Sequence, residues 1–157
     1  MIRGQRGYDM SQRTIILGVL QDIHNFGVRV LTYSLRKAGF NPIDLGTLLT
    51  QEDFIKAAIE TDAKAILVSS SYGHAFIDCQ GMREKCLEAG LGEIPLYIGG
   101  NLVVTKQSQN WEDIEETFKQ AGFHRVYPPD VTPAKVIEDL KDDLHLHSMK
   151  GIESNSH

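Results

Sequence analysis

Between residues 14 and 144 the chain alternates short apolar runs with segments whose apolar residues recur every three to four positions. Residues 14–20 (Thr-Ile-Ile-Leu-Gly-Val-Leu) form the first apolar run and predict a buried strand. A helix follows over about 27–38, with Val28, Leu31, Leu35 and Ala38 on one face; Gly39 suits its C-terminal stop. Residues 42–45 predict a short second strand. Thr50 and Asp53 have the form of a capping box ahead of the stripe Phe54, Ile55, Ala58 and Ile59. Residues 65–68 predict a third strand, which runs into Ser69-Ser70-Ser71. One helix is expected over about 78–89, stopped by Gly90. Leu96-Tyr97-Ile98 predicts a fourth strand that ends in Gly99-Gly100-Asn101. Asn110 caps a helix carrying Trp111, Ile114, Phe118 and Ala121, and Gly122 ends it. Residues 124–127 predict a fifth strand, followed by Pro128-Pro129. Thr132 caps and Pro133 opens a last helix with Val136, Ile137, Leu140 and Leu144.

Five strands alternating with five helices imply an α/β fold whose parallel sheet is covered on both faces. Right-handed crossovers favour the flavodoxin-like, doubly wound five-stranded order 2-1-3-4-5. Strands one and three then flank the topological switch point, where ligands bind beyond the carboxyl ends. The loop 22–27, the turn 69–71 and the Gly99-Gly100 pair all fall at carboxyl ends, so the topology alone gathers them. Residues 1–12 and 145–157 are polar and read as flexible tails around a single domain over 13–144.

The 157 residues fit one domain, which at that size buries roughly 68–70% of the surface its unfolded chain exposes. A net charge of −5 without a basic cluster argues against nucleic acid as a partner. No apolar run approaches the ~20 residues of a membrane span. Residues 1–13 lack the apolar core of a secretory signal, so a cytoplasmic location is expected. Cys79 and Cys86 are seven residues apart in a segment read as helical. At about 1.5 Å per residue their Cα atoms would sit roughly 10 Å apart, too far for a disulfide, which tolerates about 7 Å. Free thiols are expected, as in the cytosol.

The chemistry lies in Asp22-Ile23-His24-Asn25-Phe26-Gly27, directly after strand one. A histidine offers a metal one imidazole nitrogen, and a carboxylate two residues earlier can hold the other ring N–H, fixing the tautomer. One histidine is too few ligands for a structural zinc, which takes four. It suffices for a metal that arrives inside a macrocycle. The glycines suit a large organic body lying close to the backbone. His145-x-His147 has metal-pair spacing but sits in the polar tail, and Trp111 and Phe118 read as core.

Asp22-x-His24-x-x-Gly27, then 41 residues, then Ser69-x-Ser71, then 27 residues, then Gly99-Gly100 resembles the signature of cobalamin-binding domains. In residues 14–144 the chain resembles the small, cobalamin-binding subunits of glutamate mutase (methylaspartate mutase). The segments Gln51-Glu52-Asp53-Phe54-Ile55, Arg83-Glu84-Lys85-Cys86, Gly99-Gly100-Asn101 and Arg125-Val126-Tyr127-Pro128-Pro129 carry that likeness. The resemblance implies a cobalamin-binding Rossmann-like domain carrying adenosylcobalamin in the base-off, histidine-on state. His24 would be the axial cobalt ligand and Asp22 would hydrogen-bond its far nitrogen. Ile23, Asn25, Phe26, Gly27, Ser69, Ser70, Ser71, Tyr72, Gly99, Gly100, Asn101, Leu102, Val103 and Val104 complete the implied cofactor site. The nucleotide tail would run between strands one and three, with Ser69 on its base. The implied partner is a large catalytic (epsilon-type) subunit holding the substrate, in a heterotetramer of two small and two large chains. The implied reaction interconverts L-glutamate and L-threo-3-methylaspartate by a radical carbon-skeleton rearrangement.

Three positions depart from the family pattern: Ser71 replaces a leucine, Val28-Arg29 replaces Asn-Lys, and His74 stands where a glutamine or small polar residue is usual. None touches the Asp22–His24 pair. The alternative reading is a corrinoid module of another system, a methyl-transfer shuttle or a cobalamin sensor. A shuttle often carries a helical cap before its corrinoid domain, and only about 13 residues precede strand one here. A signalling receiver would need an aspartate ending strand three and a lysine ending strand five; Ser69-Ser70-Ser71 and Tyr127-Pro128-Pro129 supply neither. A flavin carrier would need a hydroxyl-rich phosphate loop in place of residues 21–27.

Overall fold

The computed structural model describes residues 13–71, 74–102 and 110–146. They form five parallel strands, β1 (Thr14–Val19), β2 (Asn41–Asp44), β3 (Ala65–Ser69), β4 (Leu96–Gly99) and β5 (Arg125–Val126). The sheet order is β2-β1-β3-β4-β5, as the alternation of elements predicts. The helices among the described residues are α1 (Phe26–Lys37), α2 (Gln51–Thr61), α3 (Ala75–Cys79), α4 (Met82–Glu88), α5 (Trp111–Gln120) and α6 (Pro133–Asp143).

β1 is buried along its whole length, and its side chains alternate between two cores, as the period of a strand requires. Ile15, Leu17 and Val19 pack with Val28 and Leu35 of α1 and with Val136 and Leu140 of α6. Ile16 and Leu20 pack with Phe54 of α2, Cys79 of α3, Met82 of α4 and Phe118 of α5. The apolar run has no polar face because a parallel sheet is covered on both sides. On the second face the rings of Phe76, Phe118 and Phe123 meet edge to face, with centroids 5.8 and 6.3 Å apart.

The helix starts read from sequence form as expected. Thr50 and Asp53 exchange both bonds of a capping box. Asn110 accepts from the Asp113 N–H at 2.9 Å. Thr132 accepts from the Lys135 N–H at 3.2 Å, with Pro133 in the first turn.

The helix expected over 78–89 is instead two consecutive helices, so the described residues hold six helices rather than five. α3 ends at Cys79, the chain turns at Gln80 and Gly81, and α4 begins at Met82. Gly81 has a φ of +81°, a left-handed value that interrupts the helix. The apolar spacing persists across the break because Cys79, Met82 and Cys86 all enter one core. Periodicity was therefore blind to the break. Both cysteines are free and buried, and burial pushes the Cys79 thiol up to about 12. β5 is confined to two residues, β2 begins one residue early and β3 runs on to Ser69. At the far end Leu146 packs against the α1/α6 core, and its N–H bonds the Lys141 carbonyl at 2.8 Å. Packed structure thus extends two residues into the expected tail; residues 1–12 and 147–157 lie outside the described residues.

The capping box gives a direct check. Thr50→Ala should lower stability by about 1 kcal/mol, read from urea unfolding as a shifted midpoint with an unchanged slope.

Candidate functional site

The end of β1 is held from both sides. The Leu20 N–H bonds the Ser69 carbonyl at 2.9 Å, and the Gln21 N–H bonds the Leu49 carbonyl at 3.0 Å. Gln21 then takes a φ of +52°, uncommon for a residue with a side chain. After this turn the Asp22 carboxylate is buried, with the residue only 3% exposed. The Leu48 N–H fixes the Asp22 carbonyl at 2.9 Å.

Each carboxylate oxygen of Asp22 has its own task. Oδ1 lies 2.7 Å from His24 Nδ1 and accepts from the Ile23 N–H at 2.6 Å. The His24 N–H reaches the same oxygen at 3.3 Å. Oδ2 accepts from the Ser71 N–H at 2.8 Å. Burial alone would raise the Asp22 pKa. The bonds from the His24 ring and from the Ser71, Ile23 and His24 amides outweigh it and hold the carboxyl below the ordinary aspartate range. An ionised carboxylate only accepts, so His24 Nδ1 is the donor. In the neutral ring Nε2 then carries the lone pair, and the side chain is 69% exposed. No cluster of three or more histidine, cysteine or acidic side chains among the described residues could hold a metal ion. A metal at Nε2 must bring most of its own ligands.

The loops after β3 and β4 close onto this pair. The Ser70 N–H bonds the Gly99 carbonyl at 3.1 Å, and the Asn101 N–H reaches Ser71 Oγ at 3.5 Å. Gly100 has a φ of +115°, and a Cβ there would lie 2.2 Å from the Ser70 carbonyl oxygen. Any side chain would drive the β3 and β4 loops apart. At Gly27 a Cβ would meet nothing within 4 Å, so that glycine faces open space.

Beside His24 a cavity of about 500 Å³ opens beneath the strand ends on the α1/α6 face. Phe26, Gly27, Val28, Val30 and Leu31 of α1 form one wall. Leu17, Leu67, Ser69, Tyr97 and Gly99 of the sheet form the floor. Pro128 and Pro129 with Val131 to Pro133 and Val136 close the far side. α1 opens on Asn25 without a side-chain cap and has no acidic residue in its first turn.

Of the residues singled out in the sequence, His24, Phe26, Gly27, Ser69, Ser71, Gly99, Gly100 and Asn101 line this cavity. Asp22 stands behind His24. Ile23 is exposed, and Asn25 stands at the N-cap position of α1 without a side-chain cap bond. Ser70 is fully buried with no partner for its hydroxyl among the described residues. Leu102 is packed in the core on the α2–α5 face. Tyr72, Val103 and Val104 lie outside the described residues. The cavity also reaches past the gap between β1 and β3 to β5 and α6. Tyr97, Tyr127, Pro128, Pro129, Thr132 and Val136 were not read as site residues. Their signal was position alone, since each lies on β4 or along the chain from β5 into α6.

A parallel sheet in this order, with a carboxylate-held histidine beside an apolar cavity at the strand ends, defines the class of cofactor-carrying Rossmann-like domains. A family model described as B12 binding domain matches residues 12–117. The glutamate mutase sigma subunit of Carboxydothermus hydrogenoformans is 51% identical over 138 residues, 87% of this chain and 99% of that protein. The glutamate mutase sigma subunit of Clostridium tetanomorphum is 54% identical over 136 residues, covering 86% of this chain and 98% of that protein. The chain belongs to the glutamate mutase sigma subunit family. Among solved structures, a cobalamin-binding protein from Desulfitobacterium hafniense superposes with a TM-score of 0.66 at 16% identity, over 82% of this chain and 58% of that one. That likeness concerns the fold.

The lowered Asp22 pKa has a stability consequence whose sign is fixed. Asp22 contributes stability that is complete above the unfolded aspartate value of about 3.9. The contribution is lost as pH falls through the lower value in the fold. Asp22→Asn should therefore be less stable than the parent chain near neutral pH, and the gap should narrow below about pH 4. Urea midpoints measured across pH 2.5 to 7 (roughly, the span of that titration) check this; a gap that stays constant over the range contradicts it.

Proposed function

We propose that this chain holds adenosylcobalamin base-off and histidine-on, with His24 Nε2 as the lower axial ligand of cobalt and the nucleotide tail in the cavity beside α1. As a member of the glutamate mutase sigma subunit family, the chain is the cobalamin-carrying subunit of an isomerase. The observation that carries the finer reading is the 2.7 Å contact between His24 Nδ1 and the buried Asp22 carboxylate, which leaves Nε2 outward at the cavity mouth.

The residues present fit the group. One exposed imidazole nitrogen is the donor a macrocycle-bound metal needs. A cavity of about 500 Å³ falls within the usual range of ligand sites, roughly 300–1,000 Å³. Its largely apolar walls suit an aromatic base. The α1 N-terminus, without acidic residues or a side-chain cap, favours the negative charge of a phosphodiester. Bound adenosylcobalamin supplies a cobalt–carbon bond that breaks homolytically, the radical chemistry required to interconvert L-glutamate and L-threo-3-methylaspartate.

What this chain does is hold and orient. Asp22 fixes the His24 tautomer and raises the basicity of its free nitrogen. Ser71, through its amide, keeps Asp22 from turning away. The partner is the catalytic large subunit, which holds the substrate in an assembly of two small and two large chains. Ile23 and Phe26, 64% and 80% exposed beside His24, leave apolar surface that such a partner and the corrin ring can cover. No helix among the described residues is long and apolar enough to cross a membrane.

The test combines the chain with a glutamate mutase catalytic subunit and adenosylcobalamin and measures glutamate–methylaspartate interconversion. In parallel, ¹⁵N-histidine-labelled chain is mixed with cob(II)alamin and examined by electron paramagnetic resonance. The expected spectrum carries the labelled nitrogen's coupling; His24→Ala removes that coupling and the activity. Asp22→Asn should lose roughly 10- to 100-fold in affinity or activity. A benzimidazole nitrogen on cobalt in the assembled complex, or an unchanged spectrum in His24→Ala, overturns the assignment.

A further inference from the structure

Two tyrosines that line the cavity, Tyr97 and Tyr127, bond their hydroxyls to carboxylates that do not line it. Tyr127 Oη donates to Asp139 Oδ2 at 2.6 Å, and Tyr97 Oη donates to Asp143 Oδ2. The two rings meet edge to face with centroids 5.8 Å apart. Neither aspartate lines the cavity, and Asp139 is only 2% exposed. Both carboxylates are matched by cations. Arg125 places Nε and Nη2 on Asp143 at 2.9 and 2.8 Å and Nη1 3.3 Å from Asp139 Oδ1. Lys135 Nζ lies 3.0 Å from the same Asp139 oxygen. Lys135, Asp139 and Asp143 stand four residues apart on α6, so one face of that helix carries the network.

Of these charges Asp139 is buried while Lys135 reaches solvent, and such a network is a weak source of net stability, because desolvation and solvent screening offset most of the attraction. What it fixes is geometry. With its hydroxyl bonded to Asp139, Tyr127 presents ring carbon rather than oxygen to the cavity. Burial and the neighbouring Asp139 push the Tyr127 pKa far upward, so the hydroxyl remains a donor.

The geometry points to Asp139 as a positioning residue: by accepting the Tyr127 hydroxyl from behind, it sets the ring that Tyr127 lends to the cavity wall, against which the cofactor's nucleotide tail packs. This rests on the reading that the cavity takes that tail. It assigns to a residue remote from His24 a role in selecting a cobamide that has a tail over one that lacks it.

The test compares adenosylcobalamin with adenosylcobinamide, which lacks the nucleotide tail, by equilibrium binding to the full chain in complex with a glutamate mutase catalytic subunit. The variants are Tyr127→Phe, Asp139→Leu and Asp139→Asn. Tyr127→Phe and Asp139→Leu should weaken adenosylcobalamin binding by roughly 2- to 10-fold, the worth of one hydrogen bond, and leave adenosylcobinamide unchanged. Asp139→Asn keeps an oxygen acceptor and should retain the parent preference. Tyr127→Phe removes one atom only, and keeps the test open if Asp139→Leu does not fold by circular dichroism. Equal weakening of both ligands, or an unchanged ratio in Tyr127→Phe, overturns the positioning role. So does a loss in Asp139→Asn as large as in Asp139→Leu. A parent complex that binds both ligands equally overturns the tail reading itself, a separate failure.

Discussion

The Asp22 carboxylate has two oxygens and both are committed. One receives the His24 ring and the Ile23 amide; the other receives the Ser71 amide, forty-nine residues along the chain. This single group therefore joins the loop after β1 to the loop after β3, across the switch point of the sheet. Its burial would disfavour the charge, and its hydrogen bonds restore it. Because the charge persists, Nδ1 of His24 must donate, and the other ring nitrogen is left without that proton. Donor direction, tautomer and loop closure all follow from one buried anion.

The two faces of the sheet are used differently. The α2–α5 face is closed by a large core that includes three phenylalanines packed edge to face. The α1/α6 face is packed near the strand starts, by Leu35, Phe40 and Leu140, and opens toward the carboxyl ends into the cavity. The walls of a cavity lose packing contacts, and the helices that border it are held elsewhere. α6 packs Val136 and Leu140 into the core, and its network with Arg125, Tyr97 and Tyr127 fixes its geometry. α1 lies against β2 and against α6. The site is thus an opening in one layer of the α/β sandwich, next to His24.

Much of this was legible in residues 14–144 because local chemistry and topology agreed. The all-apolar runs meant strands buried on both faces, and the capping residues Thr50, Asn110 and Thr132 marked three helix starts. The Asp22–His24 pair was legible because the two are close in sequence and need only a loop to meet. The break between α3 and α4 was not, since both pieces serve one core at one spacing. The Asp22–Ser71 bond was not, because a backbone amide leaves no trace in a sequence. Gly100 was expected to make room for a ligand; it lines the cavity, and its bare Cα also admits the Ser70 carbonyl, which no sequence pattern announced. Tyr127 and Asp139 were not read together, because their pairing depends on how α6 lies against β5.

The sequence by itself determined the sheet order and the pairing of the exposed imidazole, His24, with the carboxylate that orients it, Asp22. Each rests on hydrophobic periodicity or on neighbours along the chain. Only the tertiary structure decided which of the flanking residues face the cavity, that the cavity reaches β5 and α6, and which amide completes the Asp22 carboxylate. Those contacts join residues far apart in the chain, and their geometry is set by how helices dock on a twisted sheet, which no local pattern encodes.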